Sequence, residues 1–163
     1  LDAILNRSEF RIYNCGKTVR YDIVLHRSPM LASCQLTQSM GGGPQLLPVD
    51  TSAQEGFTDT QNGKLVRDAI GSVQANARTA LGLKADGSLI WLMVAQKTSH
   101  SGMTLAKVAR VLRDLGAVNA INLDGGTSSS LYYQGKIFYG KRDESAQALQ
   151  RAVKSVLLLH SSR

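Results

Sequence analysis

The sequence contains little of what would make a chain disordered or membrane-spanning. It has only three prolines in 163 residues, and aromatic residues make up 6%. Its longest uninterrupted apolar run, 89–95, is far shorter than the roughly 20 residues that a helix needs to cross a bilayer. Hydrophobic residues make up 43% and charged residues 19%. This composition excludes a disordered tail, and the length predicts a single folded domain over residues 1–163.

The common cofactor motifs are also missing. No P-loop, no GxGxxG segment, no HExxH segment and no EF-hand loop occurs, which argues against nucleotide-triphosphate chemistry and against a dedicated metal centre. The three histidines are far apart in sequence. The two cysteines, Cys15 and Cys34, lack the CxxC spacing of a zinc site. They form either a disulfide or two buried free thiols, and the sequence leaves both open.

The charge is strongly unbalanced. Nineteen Lys and Arg residues against twelve Asp and Glu residues give a formal net charge of +7. A surplus of this size favours an anionic partner such as nucleic acid, an anionic membrane or a phosphorylated polymer. Because aromatic residues are few and no basic stripe is interleaved with them, nucleic-acid binding is disfavoured.

Several apolar and β-branched runs separated by turn residues predict hairpins. Residues 10–13 and 19–25 form the first candidate, and 79–84 and 88–94 flank Asp86-Gly87, a strong hairpin signal. A third pair, 131–133 and 136–139, flanks Gln134-Gly135. Because 88–94 is apolar on both faces, we predict that it is a central strand.

Two further strands and a second helix are predicted elsewhere in the chain. We expect strands at 118–123 and 152–159, and a short helix near 64–70 within the polar stretch 50–72.

One segment has a clear helical period. Five apolar residues follow the 3.6-residue repeat between Thr104, which can cap the helix start, and Gly116, which can end it. The apolar stripe of this helix must pack on a sheet. The sequence therefore predicts an α+β domain with a largely antiparallel or mixed sheet and one long helix packed on it.

The segment after strand 118–123 is the best candidate for a site. Asp124 comes where a buried strand ends, and two glycines and a row of hydroxyls follow it at once. Consecutive glycine amides can form a nest for anionic oxygens, and Arg78 at the start of another strand could clamp a phosphate. The alternatives are an ordinary strand-ending turn and a solvated arginine.

Several segments, in order, resemble the phosphodiester glycosidase family. They are 76–82, the Asp86-Gly87 turn, 101–105, 115–117 and 119–126, together with 41–47 and the closing Arg151-Ala152-Val153. The resemblance covers about residues 40–159. The Asn-Gly-Gly-Phe segment usual near the start of the family domain is absent, and Thr127 replaces a frequent glycine. The chain is therefore either trimmed at its amino terminus or a divergent member.

The resemblance implies a hydrolase that cleaves a sugar-1-phosphodiester into a free sugar and a phosphomonoester. Asp124 would be the catalytic carboxylate, Arg78 would neutralise the phosphate, and Glu55 would be a second acid. We expect the substrate to contact these residues: Gly42, Gly43, Thr79, Asn122, Gly125, Gly126, Thr127 and Ser128. The partner would be a sugar-phosphate or glycan of the cell envelope or exopolysaccharide, and the location periplasmic or secreted.

Two alternatives remain open at this point. The chain could be a non-catalytic module that binds anionic cell-envelope polysaccharide through its positive surface, which would not require Asp124. Asp124 could also bind Ca²⁺ or Mg²⁺, although few carboxylates lie near it in sequence, and we predict no cofactor.

Overall fold

The computed structural model describes residues 2–159. The architecture is α+β, and nearly all strand pairs are antiparallel. The helices are α1 (Asp2–Leu5) and α2 (Leu105–Asp114). The strands are β1 (Ser8–Asn14), β2 (Val19–Leu25), β3 (Gln35–Gly41), β4 (Gln45–Leu47), β5 (Thr58–Gln61), β6 (Lys64–Asp68), β7 (Arg78–Lys84), β8 (Leu89–Val94), β9 (Ala117–Leu123), β10 (Ser130–Tyr133), β11 (Lys136–Tyr139), β12 (Lys141–Arg142) and β13 (Ala148–Leu149).

Two sheets carry the core. The first has the order β2-β1-β3 and the second the order β4-β9-β7-β8. The three predicted hairpins are confirmed as β1–β2, β7–β8 and β10–β11. Within residues 2–159, neither helix has the length and apolar character that crossing a membrane requires.

Side-chain alternation along the second sheet separates the two halves of the core. Leu81 and Ile121 point toward the first sheet, where they pack with Phe10 and Ile23. Ala80 lies on the opposite face, with the apolar side chains of α2. Because successive residues of a strand face opposite sides, one buried strand serves both interfaces. The result is three layers: helix, four-stranded sheet and three-stranded sheet.

Helix α2 forms where the periodicity predicts it. The Thr104 side chain accepts a hydrogen bond from the backbone N–H of Lys107, and Gly116 follows the helix with φ of +91°. Leu105, Val108 and Leu112 are buried against the sheet. Each such side chain contributes about 1.5–3 kcal/mol when fully buried. The helix has ten residues, so the prediction of a long helix is confirmed only in part.

Three predictions of secondary structure are wrong. Residues 64–70 do not form a helix, because Lys64–Asp68 pairs with β5 as strand β6 across a tight turn at Asn62 and Gly63, both of positive φ. Strand β8 is at an edge of its sheet and not in the centre, and its apolar residues are mostly half-buried. No strand covers 152–159; this segment has no regular structure, although Leu157 packs on the core between the sheets.

Cys15 and Cys34 form a disulfide, which decides the alternative that the sequence left open. Asn14 at the end of β1 pairs with Gln35 at the start of β3. The disulfide joins the next residue on each side of this pair, Cys15 and Cys34. It joins chain positions separated by 19 residues at the end of the three-stranded sheet.

Candidate functional site

A cleft of about 520 Å³ opens where β9 ends and β7 begins. Its walls are the connection between β3 and β4, the segment after β9, and residues 69–77 before β7. Seven of the sequence-predicted site residues line it: Gly42, Gly43, Arg78, Asn122, Asp124, Gly125 and Gly126. Glu55, Thr79, Thr127 and Ser128 do not line it.

Asp124 is held at the cleft by two neighbours. The Nη2 of Arg151 donates a hydrogen bond to Oδ2 of Asp124 at 2.5 Å, and the Nε of Arg151 donates to Oγ of Ser128 at 2.5 Å. The side chain of Asp124 remains 66% exposed. Partial burial by itself would raise the pKa of Asp124, but hydrogen bonds from Ser128 and Arg151 outweigh it, and the net pKa is lowered.

This environment decides which chemistry the Asp124 carboxylate can perform. A carboxyl group with a lowered pKa stays ionised at neutral pH and holds no proton to donate. The stability that its pairing adds is present above its ordinary pKa and is lost as the pH falls through the lowered value. Asp124 is therefore suited to receive a proton or to stabilise positive charge, and unsuited to act as a general acid.

Arg78 lines the cleft, but its donors are directed into the protein. It is 4% exposed and donates to four backbone carbonyls, those of Met103, Ile70, Gly71 and Gln74. Desolvation by burial lowers the pKa of Arg78, and Asp68 partly opposes the shift. The paired N–H groups that a phosphate clamp needs are thus already used to hold residues 70–74 in place.

Three of the four glycine amides predicted to hold an anion already donate to backbone carbonyls of the protein. The N–H of Gly42 donates to the carbonyl of Ser8 at 3.0 Å, and that of Gly43 to the carbonyl of Asn122 at 2.8 Å. The N–H of Gly126 donates to the carbonyl of Ala77 at 2.9 Å. A nest needs amides without a protein acceptor, and these three have one.

Close approach explains the glycines at this site. A Cβ at Gly42 would lie 2.8 Å from Cδ2 of Leu123, and a Cβ at Gly125 would lie 2.8 Å from the carbonyl oxygen of Ala77. Gly43 combines a φ of +116° with a position against Glu55. The glycines therefore shape the cleft by letting its walls pack closely.

Glu55 lies beneath the cleft and is fully buried. Its carboxylate accepts hydrogen bonds from the N–H and hydroxyl of Ser8, from the N–H of Gln45 and from the hydroxyl of Thr51. These bonds join the start of β1 to the start of β4. A carboxylate with four internal donors and no exposure is placed to fix the loop, and it does not line the cleft as a second catalytic acid would.

The other predicted contact residues differ in their surroundings. Asn122 is buried, and its Nδ2 donates to the carbonyl of Gly43 at 3.0 Å, while its Oδ1 has no hydrogen-bond donor within residues 2–159. The Thr79 hydroxyl donates to Oγ of Ser129 at 2.9 Å, and neither residue lines the cleft. Thr127 and Ser128 are half-buried in a single 3-10 turn, Gly126–Ser128.

Two arginines were not predicted as site residues. Arg7 lines the cleft, its Nε donates to the carbonyl of Glu55, and its Cζ lies 3.9 Å from the ring centre of Phe57. No motif surrounds Arg7 in the sequence. Arg151 lies in one of the segments that carry the family resemblance, which was the only signal for it.

The site offers no cluster of metal ligands. Across residues 2–159, no three side chains of His, Cys, Asp or Glu come together as they would around a metal ion. The nearest charged partner of Asp124 is the Arg151 guanidinium.

The comparison with protein families decides the membership of the chain. The model of the phosphodiester glycosidase family matches residues 5–160. The chain belongs to the phosphodiester glycosidase family. The match begins before residue 40, so the family likeness also includes the three-stranded sheet.

Curated relatives in this family are similar over part of the chain. Mouse N-acetylglucosamine-1-phosphodiester α-N-acetylglucosaminidase is 34% identical over 91 residues, which are 54% of this chain and 18% of the mouse protein. The human enzyme is 32% identical over 91 residues, which are 54% of this chain and 18% of the human protein. The chain thus spans less than a fifth of the length of these relatives.

Solved structures show the same fold. The catalytic domain of the zebrafish enzyme of that name is 26% identical, with a TM-score of 0.57 over 82% of this chain and 44% of that one. A Burkholderia pseudomallei protein described as exported is 29% identical, with a TM-score of 0.56 over 82% of this chain and 28% of that one.

Proposed function

We propose that this phosphodiester glycosidase family member hydrolyses a glycosyl-1-phosphodiester and releases a free sugar and a phosphomonoester. The observation that carries the proposal is the ionised Asp124 at the rim of a cleft large enough for a sugar. Family membership supports the reaction type, since the mouse and human relatives are named for this bond.

The chemistry suits a single carboxylate. Water attacks the anomeric carbon, the bond from that carbon to the phosphate oxygen breaks, and the electron pair leaves with the phosphomonoester. The second pKa of a phosphomonoester is about 6, so this leaving group needs little protonation. Asp124 then stabilises the oxocarbenium-like centre and accepts the proton of water. No second acid is required, which agrees with the buried position of Glu55.

We assign Arg78 and Glu55 to positioning. Arg78 holds residues 70–74 through backbone carbonyls, and Glu55 holds the strand starts at Ser8 and Gln45. Both segments border the cleft, so both side chains act on substrate through the shape of the wall. Asn122 is the proposed contact for a sugar hydroxyl, because its buried Oδ1 lacks a donor among residues 2–159.

The proposed substrate is a glycan of the cell envelope or an exopolysaccharide, and the proposed location is periplasmic or secreted. The net charge of +7 favours an anionic polymer. The disulfide between Cys15 and Cys34 favours an oxidising compartment. The Burkholderia relative described as exported agrees with this location.

Incubation with an activated sugar-1-phosphodiester tests the proposal. We expect equal amounts of free sugar and phosphomonoester, both detected by chromatography, in proportion to the protein added. Binding of the diester or of an anionic polysaccharide without any sugar release would favour the non-catalytic module instead.

A further inference from the structure

The proposed reaction places two negative charges close together. A phosphodiester carries one negative charge, and it must lie beside the Asp124 carboxylate if that carboxylate is to act at the adjoining sugar carbon. Like charges at such a separation repel each other unless a cation lies between them. The amides of Gly42, Gly43 and Gly126 cannot supply this neutralisation, because each already donates to a carbonyl, and the Gly125 amide is bonded to the Asp124 carboxylate.

Arg151 has the geometry that this position requires. Its Nη2 contacts Asp124 and its Nε contacts Ser128, each at 2.5 Å. A guanidinium group has five N–H donors, so these two bonds leave three. The Arg151 side chain is 59% exposed, unlike that of the buried Arg78. Its remaining donors can therefore reach an anion from solvent without breaking the contact with Asp124.

We propose that Arg151 binds the phosphate of the substrate while it holds Asp124, so that one guanidinium bridges the two anions. That the bound anion belongs to a glycosyl phosphodiester rests on the proposed function. Arginine is well matched to this task because its planar fork donates two parallel hydrogen bonds to a phosphate. The same contact would make the site select phosphodiesters over uncharged glycosides.

Arg7 is the competing cation, and it lines the cleft, whereas Arg151 lies beside Asp124 without lining it. Its Nε is bonded to the carbonyl of Glu55, and its guanidinium stacks on Phe57. Arg151 is favoured because it contacts the carboxylate beside which the phosphate has to lie.

Inorganic phosphate serves as the probe for this site. Its binding is titrated by calorimetry or NMR at low ionic strength for the parent chain, Arg151→Gln, Arg7→Gln and Arg142→Gln. Arg142→Gln is the matched control, because it removes the same charge from an exposed arginine bonded to the carbonyl of Ala146. We expect Arg151→Gln to weaken phosphate binding about tenfold or more, and Arg142→Gln to leave it unchanged.

Several outcomes would overturn the inference. They are phosphate binding in Arg151→Gln equal to that of the parent, equal losses in Arg151→Gln and Arg142→Gln, a loss confined to Arg7→Gln, or no binding by the parent. The proposed function is tested separately, by measuring sugar release from a glycosyl phosphodiester. If the parent binds phosphate through Arg151 but releases no sugar, the proposed hydrolase function is disproved, while the phosphate site at Arg151 is supported.

Discussion

Glu55 and Ser8 are bonded twice across 47 residues of chain: the N–H of Ser8 donates to Oε2 at 2.8 Å, and its hydroxyl donates to Oε1 at 2.6 Å. This pair joins the first strand to the loop beneath the cleft. The two bonds support the positioning role that we propose for Glu55, in place of the second acid that the sequence predicts.

The first prediction concerns Glu55→Gln. The amide nitrogen placed against the N–H of Ser8 or Gln45 would leave a buried donor without an acceptor, so we expect a loss of about 2–3 kcal/mol in the free energy of unfolding. Urea denaturation measures it. Asp59→Asn, an exposed carboxylate on β5, is the control and should change little. If Glu55→Gln keeps the stability of the parent but loses turnover, Glu55 takes part in the reaction as a catalytic acid.

Gly42→Ala and Gly41→Ala make a second, matched pair. A Cβ at Gly42 would meet Leu123 and the carbonyl of Asn122, whereas a Cβ at Gly41 has nothing within 4 Å. We expect Gly42→Ala to lower the free energy of unfolding by about 1–3 kcal/mol through overpacking, and Gly41→Ala to leave it nearly unchanged. Equal stabilities of the two variants, measured by thermal denaturation, would disprove the close packing of the cleft wall.

Arg78→Lys separates a structural arginine from a phosphate clamp. An ammonium group cannot reach the four carbonyls that Arg78 binds, so we expect a loss of about 2 kcal/mol or more in the free energy of unfolding. The control Arg67→Lys alters an exposed arginine on β6 and should be neutral. If Arg78→Lys keeps full stability and loses only phosphate affinity, Arg78 is the clamp that the sequence suggested.

Removing the disulfide should weaken the fold without affecting the site. The bond closes a loop between positions 19 residues apart, and the chain-entropy relation gives about 3 kcal/mol for a loop of that size. We expect the double variant Cys15→Ser, Cys34→Ser to unfold at correspondingly lower urea concentration and to be insensitive to a reductant. A parent chain whose unfolding does not change on reduction would contradict this role.

Local signals in the sequence were sufficient for much of the fold. The cap at Thr104 and the apolar stripe of α2 lie within one segment of the sequence. The turn between β7 and β8 is likewise specified by two adjacent residues, Asp86 and Gly87. The Asn62-Gly63 turn carried the same kind of signal, but the adjoining apolar residues fit a helix as well as a strand. Strand β3 was missed because its sequence is polar and its pairing is with β1, far away in the chain.

The site was predictable in position but not in detail. Asp124 and the glycines around it lie at one cleft, as their place after a buried strand indicated. What the sequence could not reveal is which donors are already used. The bonds of Arg78 to four carbonyls and the contact of Arg151 with Asp124, 27 residues away, depend on tertiary structure alone.

Sugar release by Asp124→Asn tests the central claim most directly. The side chain is 66% exposed, so the substitution should leave the melting temperature nearly unchanged, as should the control Asp114→Asn at the end of α2. We predict that Asp124→Asn lowers the rate of glycosyl phosphodiester hydrolysis by roughly 10²–10⁴-fold, while Asp114→Asn retains the parent rate. An Asp124→Asn variant that releases sugar as fast as the parent would contradict the proposal that this carboxylate carries the reaction.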